Sequence, residues 1–118
     1  MPTAFKPNSI RVEKDGRWRD IPYDAIFAVR ANAHYTLVHD GEHEYFCNLS
    51  ISAIEERLDR TMFQRVHRSH IVAIRRIARL KRAGETHVAE LGSPVRCSIP
   101  IARTHYRDLC RQIEAFVT

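Results

Sequence analysis

The side chains of this chain best suited to chemistry are its seven histidines, three cysteines and sixteen arginines. Histidine and cysteine together raise the question of a metal. A metal site needs three or four ligands converging on one point, with further groups orienting them. His39 and His43 straddle a predicted turn, and His67 and His70 have no carboxylate close in sequence. No His-Glu-x-x-His, Cys-x-x-Cys or Cys-x-x-Cys-His spacing occurs among these or among His34, His87 and His105. No metal or other cofactor is therefore expected, with haem ligation by a lone histidine left open. Catalytic signatures are equally absent: there is no Gly-x-Ser-x-Gly, no Walker loop and no dinucleotide fingerprint, and four glycines leave little material for a phosphate cradle. Cys97 lies in an alternating stretch, where a thiol packs as a small hydrophobe. The chain is not expected to be an enzyme.

Arginine remains. The chain carries nineteen Lys+Arg against fourteen Asp+Glu, a formal charge of +5, and only three of the basic residues are lysine. Guanidinium presents a planar fork of donors matched to phosphates and base edges, which lysine lacks. The charges are segregated. Residues 60–84 hold Arg60, Arg65, Arg68, Arg75, Arg76, Arg79, Lys81 and Arg82 with no acid, whereas residues 38–59 hold Asp40, Glu42, Glu44, Glu55, Glu56 and Asp59 against Arg57. Such a distribution makes a directional field suited to an anionic partner on one face; the competing reading is a merely solvated basic surface. The densest stretch is Phe63-Gln64-Arg65-Val66-His67-Arg68-Ser69-His70-Ile71-Val72, in which His67, Arg68 and Ser69 are all donors fit for phosphate or base contacts.

The elements that must position these residues are short. A length of 118 residues with 44% hydrophobic content suits one domain, expected over residues 9–118 after a tail or linker remnant at 1–8. Apolar runs such as Ile71–Ile74 are too short to span a bilayer, no secretory signal is visible at the N-terminus, and the odd number of cysteines fits a reducing compartment, so the chain reads as cytoplasmic. Ile10–Glu13 and Trp18–Ile21 flank the turn Lys14-Asp15-Gly16-Arg17, and Tyr35–His39 and Glu44–Cys47 flank Asp40-Gly41-Glu42-His43, two hairpin signatures. Ile26–Val29 reads as a buried strand. Ile51, Ile54 and Leu58 share a helix face, with Ser52 and Glu55 spaced as a capping box. The stretch from Phe63 to Ile74 shows no clean alternation. Arg76–Lys81 alternates strictly, Thr86–Leu91 returns, and Val95–Ile99 follows a further turn. Pro100 is placed to open a final helix in which Ala102, Tyr106, Leu109, Ile113 and Phe116 form the docking stripe and Arg103, Arg107 and Arg111 a neighbouring face. Roughly eight strands and two helices make a mainly β domain. A helix-turn-helix needs two adjacent helices, so DNA, if bound, must be read by loops and strands.

The motif Phe63-x-Arg65-Val66-His67-Arg68-Ser69-His70-Ile71-Val72, followed by Ile77 and Gly92-x-x-Val95, resembles the core signature of LytTR DNA-binding domains. Asp24-Ala25-Ile26 leading to Ala31-Asn32-Ala33-His34-Tyr35, Asn48-Leu49-Ser50 ahead of Ile54 and Leu58, and Ile99-Pro100-Ile101-Ala102-Arg103 with Tyr106 and Leu109 behind it are similar to that family's further motifs, over about residues 10–115. The resemblance implies small stacked antiparallel sheets with one short internal helix and a C-terminal helix. It also implies the output domain of a bacterial transcription or response regulator. Such a domain binds double-stranded DNA at direct-repeat promoter sites as a homodimer, its loops entering successive major grooves, with a sensor or receiver domain upstream. By positional match His34, Arg68 and Arg103 are the base readers, and Asn32, Ser69, Thr104 and Arg107 the phosphate contacts. Two positions depart from the family: Ala73 where Asn is common, and Ala102 where Ser often precedes the arginine. The alternative is a protein-interaction or ligand- or haem-sensing module on the same fold.

Overall fold

The computed structural model describes residues 8–92 and 97–117. Ten strands are formed among them, β1 Ser9–Lys14, β2 Arg17–Pro22, β3 Ala28–Ala31, β4 Thr36–His39, β5 Glu44–Cys47, β6 Phe63–His67, β7 His70–Ala73, β8 Ile77–Ala83, β9 Thr86–Leu91 and β10 Cys97–Ile101. Two α-helices accompany them, α1 Ile51–Arg57 between β5 and β6 and α2 Arg103–Val117 after β10. Seven strands make one antiparallel sheet in the order β2-β1-β5-β4-β3-β7-β6, and three make a second in the order β10-β9-β8.

Side-chain alternation in the larger sheet supplies two cores. One face sends Ile10, Val12, Val29, Val38, Tyr45 and Ile71 against Ile51, Ile54 and Leu58 at α1. The other sends Ala28, Val66 and Val72 against Ala89, Leu91, Ile99 and Ile101 of the smaller sheet and Leu109 of α2. The middle strands are thus apolar on both faces, which is why Ile71–Ile74 is continuous rather than alternating. The β1–β2 connection is the two-residue turn expected from Asp-Gly: Asp15 and Gly16 both have positive φ, 53° and 75°, matching the twist of the strands they join. Gly41 has φ +97°, and a Cβ there would lie 2.8 Å from the Phe27 ring, so the β4–β5 turn tolerates no side chain at this point.

The structure differs from the sequence reading in five places. Ten strands are present rather than about eight, the additional pair coming from Phe63–Ala73, which is a hairpin, β6–β7. The strand expected at Ile26–Val29 begins at Ala28 and runs to Ala31. The cap of α1 is Ser50, whose hydroxyl accepts from the Ala53 amide; Ser52 lies inside the helix and receives a hydrogen bond from Arg65 instead. The strict alternation of Arg76–Lys81 is broken at Ala78, where a bulge turns Ile77 and Leu80 onto the same inward side. Pro100 does not open α2: it lies exposed in β10, an edge strand, where a missing N–H costs no ladder bond, and the helix begins at Arg103. Residues 1–7 of the tail expected at 1–8, and the expected strand start at Val95, lie outside the described residues.

Candidate nucleic-acid interface

Three chain segments meet at one end of the larger sheet. The loop 32–35 joins β3 to β4, and the turn Arg68-Ser69 joins β6 to β7. Because β3 pairs with β7, Arg30 opposite His70, these two connections are neighbours, and the Ala31 amide donates to the Ser69 carbonyl at 2.9 Å. The third segment is the start of α2, tied to β6 by the Ala102 amide donating to the Val66 carbonyl at 2.8 Å. His34, Arg68 and Arg103 therefore arise from three adjacent connections at a common pole, and all three are exposed.

Each segment has its own means of holding shape. In the first, the Asn32 side-chain oxygen accepts from the His34 and Tyr35 amides at 2.8 and 3.0 Å, and the Asn32 amide donates to the Tyr35 carbonyl at 3.0 Å. That oxygen is committed to the loop, leaving the Asn32 amino group as its outward donor. Tyr35 leans edge-on against Phe46, ring centres 5.4 Å apart, and fixes the loop's far end. Beneath it Arg30 grips Glu44 through two nitrogens at 2.7 and 3.0 Å, and this pairing holds the Glu44 carboxyl below the usual range.

In the second segment Arg65 is a brace rather than a reader. Its guanidinium meets Glu55 at 3.0 Å, the Ser52 hydroxyl at 3.0 Å and the carbonyls of His67 and Arg68, so it ties the hairpin to α1. Arg68, at the tip, makes no side-chain bond among the described residues. The Ser69 amide donates to His67 Nδ1 at 3.1 Å, and the Ser69 hydroxyl lies 3.0 Å from the same nitrogen. His70 stands edge-on to His67, ring centres 5.4 Å apart, with its Nδ1 buried and unpartnered. Burial first, then the neighbouring His67 and Arg30, hold the His70 imidazole below its ordinary pKa.

In the third segment Leu109 is fully buried in the core shared by the two sheets, and Tyr106 stacks on His87 of β9, centres 3.8 Å apart and planes 14° off parallel. Together they seat α2 so that Arg103, Thr104 and Arg107 are exposed at its first turns. The His105 amide donates to the Ala102 carbonyl at 2.9 Å, and Ala102 offers no side-chain acceptor to the other first-turn amides. In this state Arg103 lies 3.4 Å from Glu85 of the β8–β9 turn, both side chains largely in solvent. Glu85 received no role in the sequence reading. Its signal was its position, the first acid after the acid-free run 60–84.

The arginines of that run divide by their contacts. Arg75 binds the Asp24 carbonyl, Arg76 covers the Phe27 ring at 4.3 Å, and Arg79 pairs with Glu90. These three are spent on the fold; Arg68 is not. Among the described residues no group of three or more His, Cys, Asp or Glu is arranged to hold a metal ion, and no helix is long and apolar enough to cross a membrane.

Comparison with known proteins agrees with this fold. The family model described as LytTr DNA-binding domain matches residues 16–114. The chain is 30% identical over 109 residues to the heme-containing CO-sensing transcriptional regulator RcoM 2 of Paraburkholderia xenovorans, covering 92% of this chain and 41% of that protein. It is 30% identical over 84 residues to RcoM 1 of the same organism, covering 71% and 32%. The CO-responsive transcriptional regulator RcoM of Rhodospirillum rubrum is 31% identical over 84 residues, 71% of this chain and 36% of that protein. The chain thus spans between a third and two fifths of the length of these relatives. A solved LytTr DNA-binding domain from Bacillus cereus superposes with a TM-score of 0.77 at 21% identity, over 92% of this chain and 98% of that one, a likeness of fold.

Proposed function

Given that the chain belongs to the LytTr DNA-binding domain family, a DNA-binding domain of transcription regulators, we propose that its base readers are His34, Arg68 and Arg103. Arg68 and Arg103 each take a guanine edge through two parallel donors, O6 and N7 accepting, and His34 donates from its ring to a base acceptor. The amino group of Asn32, the hydroxyl of Thr104, Arg107, and the Ser69 hydroxyl on turning its proton from His67 Nδ1, bind phosphates and set the register. The observation that carries this reading is the joining of three connections by the Ala31–Ser69 and Ala102–Val66 backbone bonds, which aligns three exposed donors along one end of the sheet.

A row of contacts on one side of a duplex suits entry into successive major grooves. Two copies bound in the same orientation would read a direct repeat, so the proposal includes a homodimer assembled on DNA. The names of the relatives attach CO sensing to longer proteins; signal input is assigned to a sensor region joined to such a domain, and the output, DNA reading, to the part matched here.

The test is selection of bound sequences from a random duplex pool, followed by titration of variants. Arg68→Ala and Arg103→Ala should each lose about 1–3 kcal/mol on the selected duplex and relax preference at one base pair. An Arg103→Ala protein that binds selected and random duplexes as the parent does would refute the assignment.

A further inference from the structure

Apart from Ser69, the turn that carries Arg68 has none of the residues that ordinarily make tight turns. Arg68-Ser69 contains no Gly, Pro, Asn or Asp, yet it reverses the chain between β6 and β7. What closes it is the ring of the preceding residue: His67 Nδ1 receives the Ser69 amide at 3.1 Å and lies 3.0 Å from the Ser69 hydroxyl. An amide N–H can only donate, so Nδ1 must be the unprotonated nitrogen, and the ring proton sits on Nε2.

The neighbouring loop uses the same device. There Asn32 Oδ1, also an acceptor on the second side-chain carbon, receives the amide two residues on, that of His34, at 2.8 Å. An Asn side chain closing a turn in this way is familiar; a histidine ring doing so places Nδ1 where the Asn oxygen would be. Two adjacent connections, one ahead of His34 and one ahead of Arg68, are therefore shaped by an acceptor on residue i that binds the amide of residue i+2.

We propose that His67 is a positioning residue for DNA reading, its Nδ1 acting as the turn-closing acceptor that sets the direction of the Arg68 side chain, with no base or phosphate contact of its own. This rests on the proposed role of Arg68 and goes beyond it by assigning the nitrogen on which that role depends. Two substitutions separate the ring's two nitrogens. Asparagine keeps an acceptor at the Nδ1 position and removes the far end of the ring. Glutamine removes the near acceptor and puts a donor and acceptor near the position of Nε2.

The experiment compares wild type, His67→Asn and His67→Gln by fluorescence anisotropy, on a duplex recovered by selection and on a random-sequence duplex of equal length. His67→Asn should keep the ratio of the two affinities within about twofold, and His67→Gln should lower it about tenfold by weakening the selected duplex alone, one good base contact being worth at least that factor. In the Arg68→Ala background the Asn and Gln forms should bind alike, because nothing is left to position. A purely structural role would instead lower affinity for both duplexes and persist in that background. Loss in His67→Asn with retention in His67→Gln would overturn the proposal in favour of direct contact by Nε2. A second readout needs no DNA: the Ser69 amide should be protected from hydrogen exchange in wild type and His67→Asn and exposed in His67→Gln. Equal exchange in all three would overturn the proposal even if Arg68 proved not to be a reader, whereas a wild type without sequence preference but with the predicted exchange pattern would refute the reading of Arg68 alone.

Discussion

On the proposed role of Arg103, Glu85 competes with DNA for its guanidinium, and neutralising it should tighten binding. The two side chains are 69% and 87% exposed and touch through one nitrogen and one oxygen at 3.4 Å. At that distance two unit charges in water attract by about 1.2 kcal/mol. Screening and the entropy of holding two long side chains together reduce this toward the lower half of the 0–1 kcal/mol range measured for exposed pairs. A guanidinium that turns to a guanine edge must forfeit that interaction, so Glu85→Gln should return about 0.5 kcal/mol, roughly a twofold gain in affinity. Removing one negative charge from the face proposed to meet phosphates acts in the same direction. The assay is an anisotropy titration of a selected duplex by wild type and Glu85→Gln at two salt concentrations, repeated in Arg103→Ala. The gain should shrink at the higher salt and fall by at least half when Arg103 is absent. Weaker binding by Glu85→Gln would refute the reasoning, since it would mean that the carboxylate holds Arg103 in its reading pose or itself accepts from a cytosine amino group.

Other perturbations have equally definite outcomes. Arg107→Ala should weaken selected and random duplexes by the same factor and lower the slope of log affinity against log salt by about one, as expected for a phosphate contact and measurable from a salt series. Leu109→Ala should cost about 2–5 kcal/mol in urea unfolding, because the side chain is fully buried where α2 meets the core between the two sheets. Arg65→Ala should cost about 1–3 kcal/mol by the same measurement, since it strips the brace from Glu55 and two carbonyls. His70 sets an acid limb. Its folded pKa lies below the unfolded value of about 6.5, so the unfolded chain takes up the proton first, and stability present above pH 6.5 should fall as pH drops below it. Thermal melts between pH 8 and 5 should show this limb and lose it in His70→Gln. Glu44, depressed by Arg30, adds a second loss that begins only as pH falls below about 4.5.

What could be read from the sequence follows from where each signal resides. The β1–β2 and β4–β5 hairpins were legible because Asp15-Gly16 and Asp40-Gly41 are local turn chemistry, satisfied within a few residues. The inward face of α1 was legible from Ile51, Ile54 and Leu58, but not its cap, because Ser50 and Ser52 are equally good caps until Arg65, thirteen residues away, claims the second. The β6–β7 hairpin was invisible as a pattern: β7 is covered on both faces, and its turn, with Ser69 as its one ordinary turn residue, is closed by the His67 ring. Pro100 has a fixed φ that suits either a helix start or an edge strand, and only sheet order decides between them. Of the site, the motif around Arg68 was legible through resemblance to other sequences. The competitor Glu85 and the commitment of Arg65 and Arg79 to carboxylates depend on partners brought close by folding, and no spacing rule encodes them.

The bonds that lash the three connections together, Ala31 to Ser69 and Ala102 to Val66, run between main-chain groups that almost every amino acid possesses. The spacing of the fingertips is thus indifferent to which letters are written at them. With base reading assigned to His34, Arg68 and Arg103 as proposed, substitution at any one of them should alter one base preference while leaving the ruler intact.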